Sequence, residues 1–94
     1  MRIVAVCGLG IGTSAILKVN AERALDRIGL SADVSASDLA GVAVAAADAQ
    51  VILTSTELAD AVRAAVGSSF AEIVEVTNFL DVEEIGEKLE ASLG

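Results

Sequence analysis

The chemistry in this chain converges on one short stretch, VCGLGIGTSA at residues 6–15. Cys7 is the one cysteine of 94 residues, and the chain contains no histidine. Gly8, Gly10 and Gly12 alternate behind it, with Leu9 and Ile11 between them and the hydroxyls of Thr13 and Ser14 closing the stretch. Glycines at that spacing let a segment turn sharply and aim successive N–H groups at one point, as an anion nest. A helix opening around Thr13 adds unsatisfied amides and the positive end of its dipole. A phosphate-sized dianion fits such a place, and the same amides favour the thiolate, the nucleophilic form of Cys7. The plainer alternatives are that Cys7 is a small buried hydrophobe at a strand end and that Thr13 and Ser14 cap a helix.

Three chemistries could use this loop. Dinucleotide binding is suggested by Gly10, Gly12 and Ala15, which satisfy G-x-G-x-x-A, with Asp33 and Asp38 roughly 20 residues on. A full dinucleotide site needs two mononucleotide-binding halves, and a chain of this length has room for about one. A Walker A loop is excluded because no Gly-Lys pair precedes Thr13. A cysteine phosphatase has a loop of similar length but needs an arginine where this chain has Thr13. Without a guanidinium to clamp the equatorial oxygens, rapid hydrolysis of a thiophosphate ester is not expected. A carrier, in which Cys7 accepts a phosphoryl group and hands it on, needs binding without hydrolytic machinery and suits the missing arginine.

The elements that would hold this loop are legible in the apolar periodicity. Residues 3–6 read as a short buried strand running into the loop. Beyond Thr13, Leu17, Ala21, Ala24, Leu25 and Ile28 repeat on one helical face, and Lys18, Glu22, Asp26 and Arg27 take the other. Gly29 is placed to cap that helix. Residues 32–37 alternate as a second strand, with Val34 and Ala36 inward, and the alanine-rich stretch 38–48 predicts a short helix. QVILT at 50–54 is a third buried strand, and Thr54 with Glu57 in capping-box spacing predicts a helix from near Ser55 bearing Leu58, Val62 and Val66. EIVEVT at 72–77 is a fourth strand; Asp81 and Glu84 repeat the capping pattern before Val82, Ile85, Leu89 and Leu93. The acidic pairs Glu83–Glu84 and Glu87–Glu90 read as a solvated helix face.

Strands separated by helices imply parallel pairing, right-handed crossovers and helices on both faces. The expected fold is a single small doubly wound, three-layer α/β domain over residues 1–94, Rossmann-like in plan. Ligands in such sheets bind beyond the carboxyl ends of the strands, where the loop after the first strand lies. The chain carries a net charge of −8, with six basic residues scattered among fourteen acidic ones, so nucleic acid is not an expected partner. With no histidine and one cysteine, a structural zinc site and an internal Cys–His pair are excluded by inventory, and neither metal nor cofactor is called for. No apolar run approaches the roughly 20 residues of a membrane span. The apolar stretch at the amino terminus is too short for a signal peptide, and a lone thiol suits a reducing compartment, so a cytoplasmic location is expected.

The stretch IVAVCGLGIGTSAILKVNAERAL resembles the cysteine-phosphorylated IIB components of the bacterial sugar phosphotransferase system. It is most similar to the ascorbate and galactitol branch, whose phosphocysteine loop reads C-G-x-G-x-G-[ST]-S and opens directly into a helix; cellobiose-type loops carry fewer glycines. QVILTSTELAD and VTNFLDVEEIGEKLEASL resemble the same branch more loosely. The resemblance implies a four-stranded parallel sheet ordered 2-1-3-4. It implies that a phosphohistidine on a IIA partner donates to Cys7, and that Cys7 passes the group to a sugar or sugar acid held by a membrane IIC component. Gly8, Leu9, Gly10, Ile11, Gly12, Thr13 and Ser14 carry over as phosphoryl-binding residues, Leu9 and Ile11 also forming an apolar rim suited to partners. Stand-alone domains of this kind also act as regulators, so an anion-binding module is the alternative of a different class.

Overall fold

The computed structural model describes residues 2–6, 11–67, 71–78 and 80–93, with the side chains of 11–14 and 93 outside that description. Strands and helices alternate along the chain: β1 (Arg2–Val6), α1 (Ile11–Ile28), β2 (Asp33–Ser37), α2 (Val42–Ala45), β3 (Val51–Ser55), α3 (Ala59–Val66), β4 (Glu72–Val76) and α4 (Val82–Leu93). The sheet is ordered β2-β1-β3-β4 and every pairing is parallel. Both the order and the doubly wound plan agree with expectation.

The central strands are apolar on both faces because both faces are covered. Ile3, Val4, Ala5 and Val6 are all fully buried. Alternation sends Ile3 and Ala5 with Val51, Leu53, Val74 and Val76 to one side, against Leu17, Ala21, Ala24 and Leu25 of α1 and Ile85 and Leu89 of α4. Val4, Val6 and Ile52 go to the other, against Val42 of α2, Ala46 just after that helix, and Val62 of α3. Burying twelve large aliphatic side chains almost completely is the main stabilising term, each contributing about 1.5–3 kcal/mol relative to exposure.

Several local expectations are met. Gly29 adopts φ +74 and ends α1, with the Leu30 N–H donating to the Leu25 carbonyl at 3.0 Å and the Gly29 N–H to Asp26 at 3.3 Å. That paired geometry is a Schellman cap, which needs a residue that tolerates the left-handed region. The alanine-rich stretch does form one helical turn, α2, entered through a turn in which the Gly41 N–H donates to Asp38 Oδ1 at 2.7 Å.

Four details differ. α1 begins at Ile11, two residues earlier than the hydroxyls suggested. In β2, an edge strand, Val34 is buried but Ala36, on the same face, is only half-buried, and Ser37, on the opposite face, is the buried residue at its end. α3 begins at Ala59 rather than near Ser55, and no side chain caps it. Thr54 cannot cap, because it is a fully buried residue of β3 in register with Glu75. A turn joins β3 to α3 instead, in which the Leu58 N–H donates to Ser55 Oγ at 3.2 Å.

The fourth concerns the acidic face of α4. Glu83, Glu87 and Glu90 are exposed, but Glu84 turns inward. Asp81 caps as expected, its Oδ1 accepting from the Glu84 N–H at 3.1 Å. The Glu84 carboxylate does not complete the reciprocal box; it reaches back to the end of β4.

Candidate functional site

Among the sequence-selected residues, Cys7, Gly8, Leu9 and Gly10 lie outside the described residues. Ile11, Gly12, Thr13 and Ser14 form the first turn of α1, whose leading N–H groups have no partner within the helix. The frame on either side of the loop is well defined. β1 is an inner strand, paired to β2 with Val6 opposite Ser37, and to β3 with Ala5 opposite Leu53. One step further along that second register stand Val6 and Thr54. Val6 therefore ends at the carboxyl edge of the sheet between two buried hydroxyl residues, where strand order reverses and parallel α/β sheets bind ligands.

Three buried polar residues occur among the described residues, and two of them flank Val6. Ser37 donates its hydroxyl to the Asp38 carbonyl at 3.0 Å. Thr54 is 0% exposed and its Oγ1 has no hydrogen-bond partner. The third, Asn20, lies on α1 behind the exposed Ile16 and Val19, and with Ala15 these residues line a shallow apolar depression of about 280 Å³. Sequence reasoning missed Thr54 as part of this edge. The signal available was a hydroxyl ending the otherwise aliphatic run Val51, Ile52, Leu53.

The last strand end is locked by charge. Glu84 Oε2 accepts from the Thr77 N–H at 2.9 Å and the Thr77 hydroxyl at 2.6 Å, while Oε1 accepts from the Asn78 N–H at 3.0 Å. Lys88 Nζ stands 3.4 Å from Oε2 and also donates to the Glu75 carbonyl. Burial pushes the Glu84 carboxyl up, but the Thr77 hydroxyl, the Thr77 and Asn78 amides and Lys88 outweigh it and bring the carboxyl down to about 2. Asn78 Oδ1 in turn accepts from the Leu80 N–H at 3.0 Å, so the β4–α4 connection is tied at the same edge of the sheet as the loop.

Neither acidic residue of the dinucleotide reading is free for a ribose. Asp33 begins β2 opposite Arg2, at the far end of the sheet from the loop, and Asp38 Oδ1 is engaged by Gly41. Among the described residues no cluster of three His, Cys, Asp or Glu could hold a metal ion, and no helix is long and apolar enough to cross a membrane.

A four-stranded parallel sheet ordered 2-1-3-4, a cysteine next after its first strand and a glycine-rich entry to α1 define a small α/β protein built to present one loop. The model of the family described as PTS system, Lactose/Cellobiose specific IIB subunit, matches residues 2–91, and the chain belongs to that family. It is 30% identical over 89 residues, 95% of this chain and 90% of the relative, to the ascorbate-specific PTS system EIIB component of Mycoplasma pneumoniae. The lactose-specific IIB domain of the phosphotransferase system from Streptococcus pneumoniae shares its fold, with a TM-score of 0.69 at 10% identity over 99% of this chain and 94% of that one. The protein is thus a IIB component of a sugar phosphotransferase system, a phosphotransferase component that works with IIA and IIC partners.

Proposed function

We propose that Cys7 is the phosphoryl acceptor of this IIB component, and that the chain serves a substrate of the ascorbate type. The observation that carries the first part is position: Cys7 follows Val6, the last residue of inner strand β1, and α1 begins four residues later at Ile11. The thiolate attacks phosphorus on a phosphohistidine of the IIA partner; the S–P bond forms, the N–P bond breaks, and the imidazole nitrogen keeps the electron pair. In the second transfer a hydroxyl oxygen of the substrate held by IIC attacks the same phosphorus, the S–P bond breaks, and the hydroxyl proton passes to a base or to water. The donor histidine must come in trans, since the chain has none.

Gly8, Leu9, Gly10, Ile11, Gly12, Thr13 and Ser14 supply the amides and hydroxyls that hold the phosphoryl oxygens. Amides alone bind ground and transition states of hydrolysis more evenly than a guanidinium does, so the phosphocysteine persists until its acceptor arrives. The ascorbate assignment rests on the relative that matches 95% of the chain and on the three alternating glycines, whereas the family model carries a lactose and cellobiose description. Galactitol is the second substrate that the loop pattern fits.

Intact-mass spectrometry after incubation with phosphorylated IIA proteins tests both parts. Wild type should gain one phosphoryl group from an ascorbate-type IIA faster than from a lactose-type one, and Cys7→Ser should gain none, because a serine hydroxyl is a far poorer nucleophile at neutral pH. Labelling that survives in Cys7→Ser would move the acceptor elsewhere; equal or reversed IIA preference would overturn the ascorbate assignment.

A further inference from the structure

We infer that the groove between α1 and α4 is a docking site for a basic, amphipathic segment on the cytoplasmic face of the IIC partner. The inference extends the carrier reading and rests on it for the choice of partner. The groove has a volume of about 210 Å³ and is lined by apolar residues from both helices, Ala24 and Ile28 of α1 with Val82 and Gly86 of α4. Ile28 and Val82 are half-buried against the core, and Gly86 contributes no side chain to fill the space between them. Charge completes the lining: Glu83, Glu87 and Glu90 on α4 and Arg27 on α1, all four exposed. The glutamates stand at i, i+4 and i+7, along one side of the helix. None of the ion pairs among the described residues involves any of these four groups, so the rim carries an unneutralised excess of carboxylates over an apolar floor.

That combination selects its occupant. A second copy of this chain, with its own net charge of −8, is repelled. The cytoplasmic leaflet of a membrane carries anionic lipid and is repelled as well. An apolar side chain flanked by lysines or arginines satisfies both floor and rim. Membrane proteins carry an excess of Lys and Arg on their cytoplasmic loops, so of the two partners of a IIB component, IIC is the one whose facing surface is basic by rule. A chain this acidic can approach an anionic membrane only where a protein offers such positive charge, and rim carboxylates speed that encounter.

The test measures binding of the full chain to an ascorbate-type IIC component in phosphatidylcholine nanodiscs by biolayer interferometry, beside empty nanodiscs and a IIA protein. Wild type should bind IIC, more weakly as salt rises from about 50 to about 300 mM. The double variant Glu87→Gln, Glu90→Gln should bind about fivefold more weakly, with a flatter salt dependence. Arg27→Gln removes the like charge from the rim and should bind about twofold more tightly, a change that impaired folding does not produce. Asp33→Asn with Asp48→Asn changes net charge equally at exposed positions outside the groove and should leave affinity unchanged. Wild type that binds IIC no better than empty nanodiscs overturns the inference. So does a loss shared by the Asp33 and Asp48 pair, which would assign the effect to overall charge, or a loss seen with IIA alone, which would give the groove to the other partner. Cys7→Ser should bind IIC as wild type does, so a chain that docks through the groove but accepts no phosphoryl group refutes the carrier reading by itself.

Discussion

Replacing Glu84 by glutamine should destabilise the protein by about 2 kcal/mol at pH 7 and by almost nothing at pH 2. Three donors converge on its carboxylate, at 2.9, 2.6 and 3.0 Å, with Lys88 Nζ at 3.4 Å. A carboxyl lowered from 4.5 to about 2 corresponds, at 1.36 kcal/mol per unit, to a ceiling of about 3 kcal/mol. The side chain retains 17% exposure, so solvent screening trims the ceiling to about 2. Glutamine keeps one carbonyl oxygen, loses the charge, and leaves at least one of the Thr77 and Asn78 amides without an acceptor. The sign follows from linkage: the folded carboxyl titrates below the unfolded one, so its stabilisation is complete above about pH 4.5 and disappears as pH falls through about 2. Urea denaturation followed by circular dichroism measures the difference, and at about 4–8 °C per kcal/mol the melting temperature at pH 7 should fall by roughly 10 °C. A variant as stable as wild type at pH 7 would refute the reasoning; so would a deficit of the same size at pH 2, which would point to shape rather than charge.

Two glycines should respond in opposite directions. A Cβ built on Gly86 of α4 would stand 3.6 Å from Ala24 Cβ and 3.9 Å from Ile28 Cγ2, ordinary contact distances, so Gly86→Ala should stabilise by about 0.5–1 kcal/mol through helix propensity. A lower urea midpoint would mean that α1 and α4 pack more closely than these distances allow. Gly29→Ala meets no steric neighbour but forces a Cβ into φ +74, and should cost about 1 kcal/mol at the α1 cap; an unchanged midpoint would show that α1 ends without its Schellman turn.

The order of elements and both layers of the core could be read directly from spacing, because an aliphatic run buried on two faces and a helix buried on one leave different periods. Ile3 to Val6 and Leu17 to Leu25 contain that information in the residues themselves. Capping could not be read as safely. T-x-x-E at Thr54 and D-x-x-E at Asp81 are the same pattern, yet only Asp81 caps, accepting from the Glu84 N–H, whereas Thr54 is the fourth residue of a strand. Spacing along the chain says which groups can meet, and burial decides which do. At Thr54 the sheet claims the residue before a helix can begin; at Glu84 the amides of Thr77 and Asn78 offer the carboxylate more donors than its own cap position does.

The strand ends also support the proposal that the loop after β1 receives the anion. The other three connections from a strand to its following helix each contain a side-chain oxygen that accepts a backbone N–H: Asp38 from Gly41, Ser55 from Leu58, and Asp81 from Glu84. The two longer helices that follow β3 and β4 also carry acidic residues in their first turns, Asp60 in α3 and Glu83 with Glu84 in α4. A carboxylate there complements the dipole and the unpaired amides, and would repel a second anion. α1, at 18 residues the longest helix, has no acidic residue in its first turn, and the chain from Cys7 to Leu17 contains none. In a protein with fourteen acidic residues and a net charge of −8, that interval places no carboxylate within the loop or the first turn of α1, where a phosphoryl group on Cys7 would add its own negative charge.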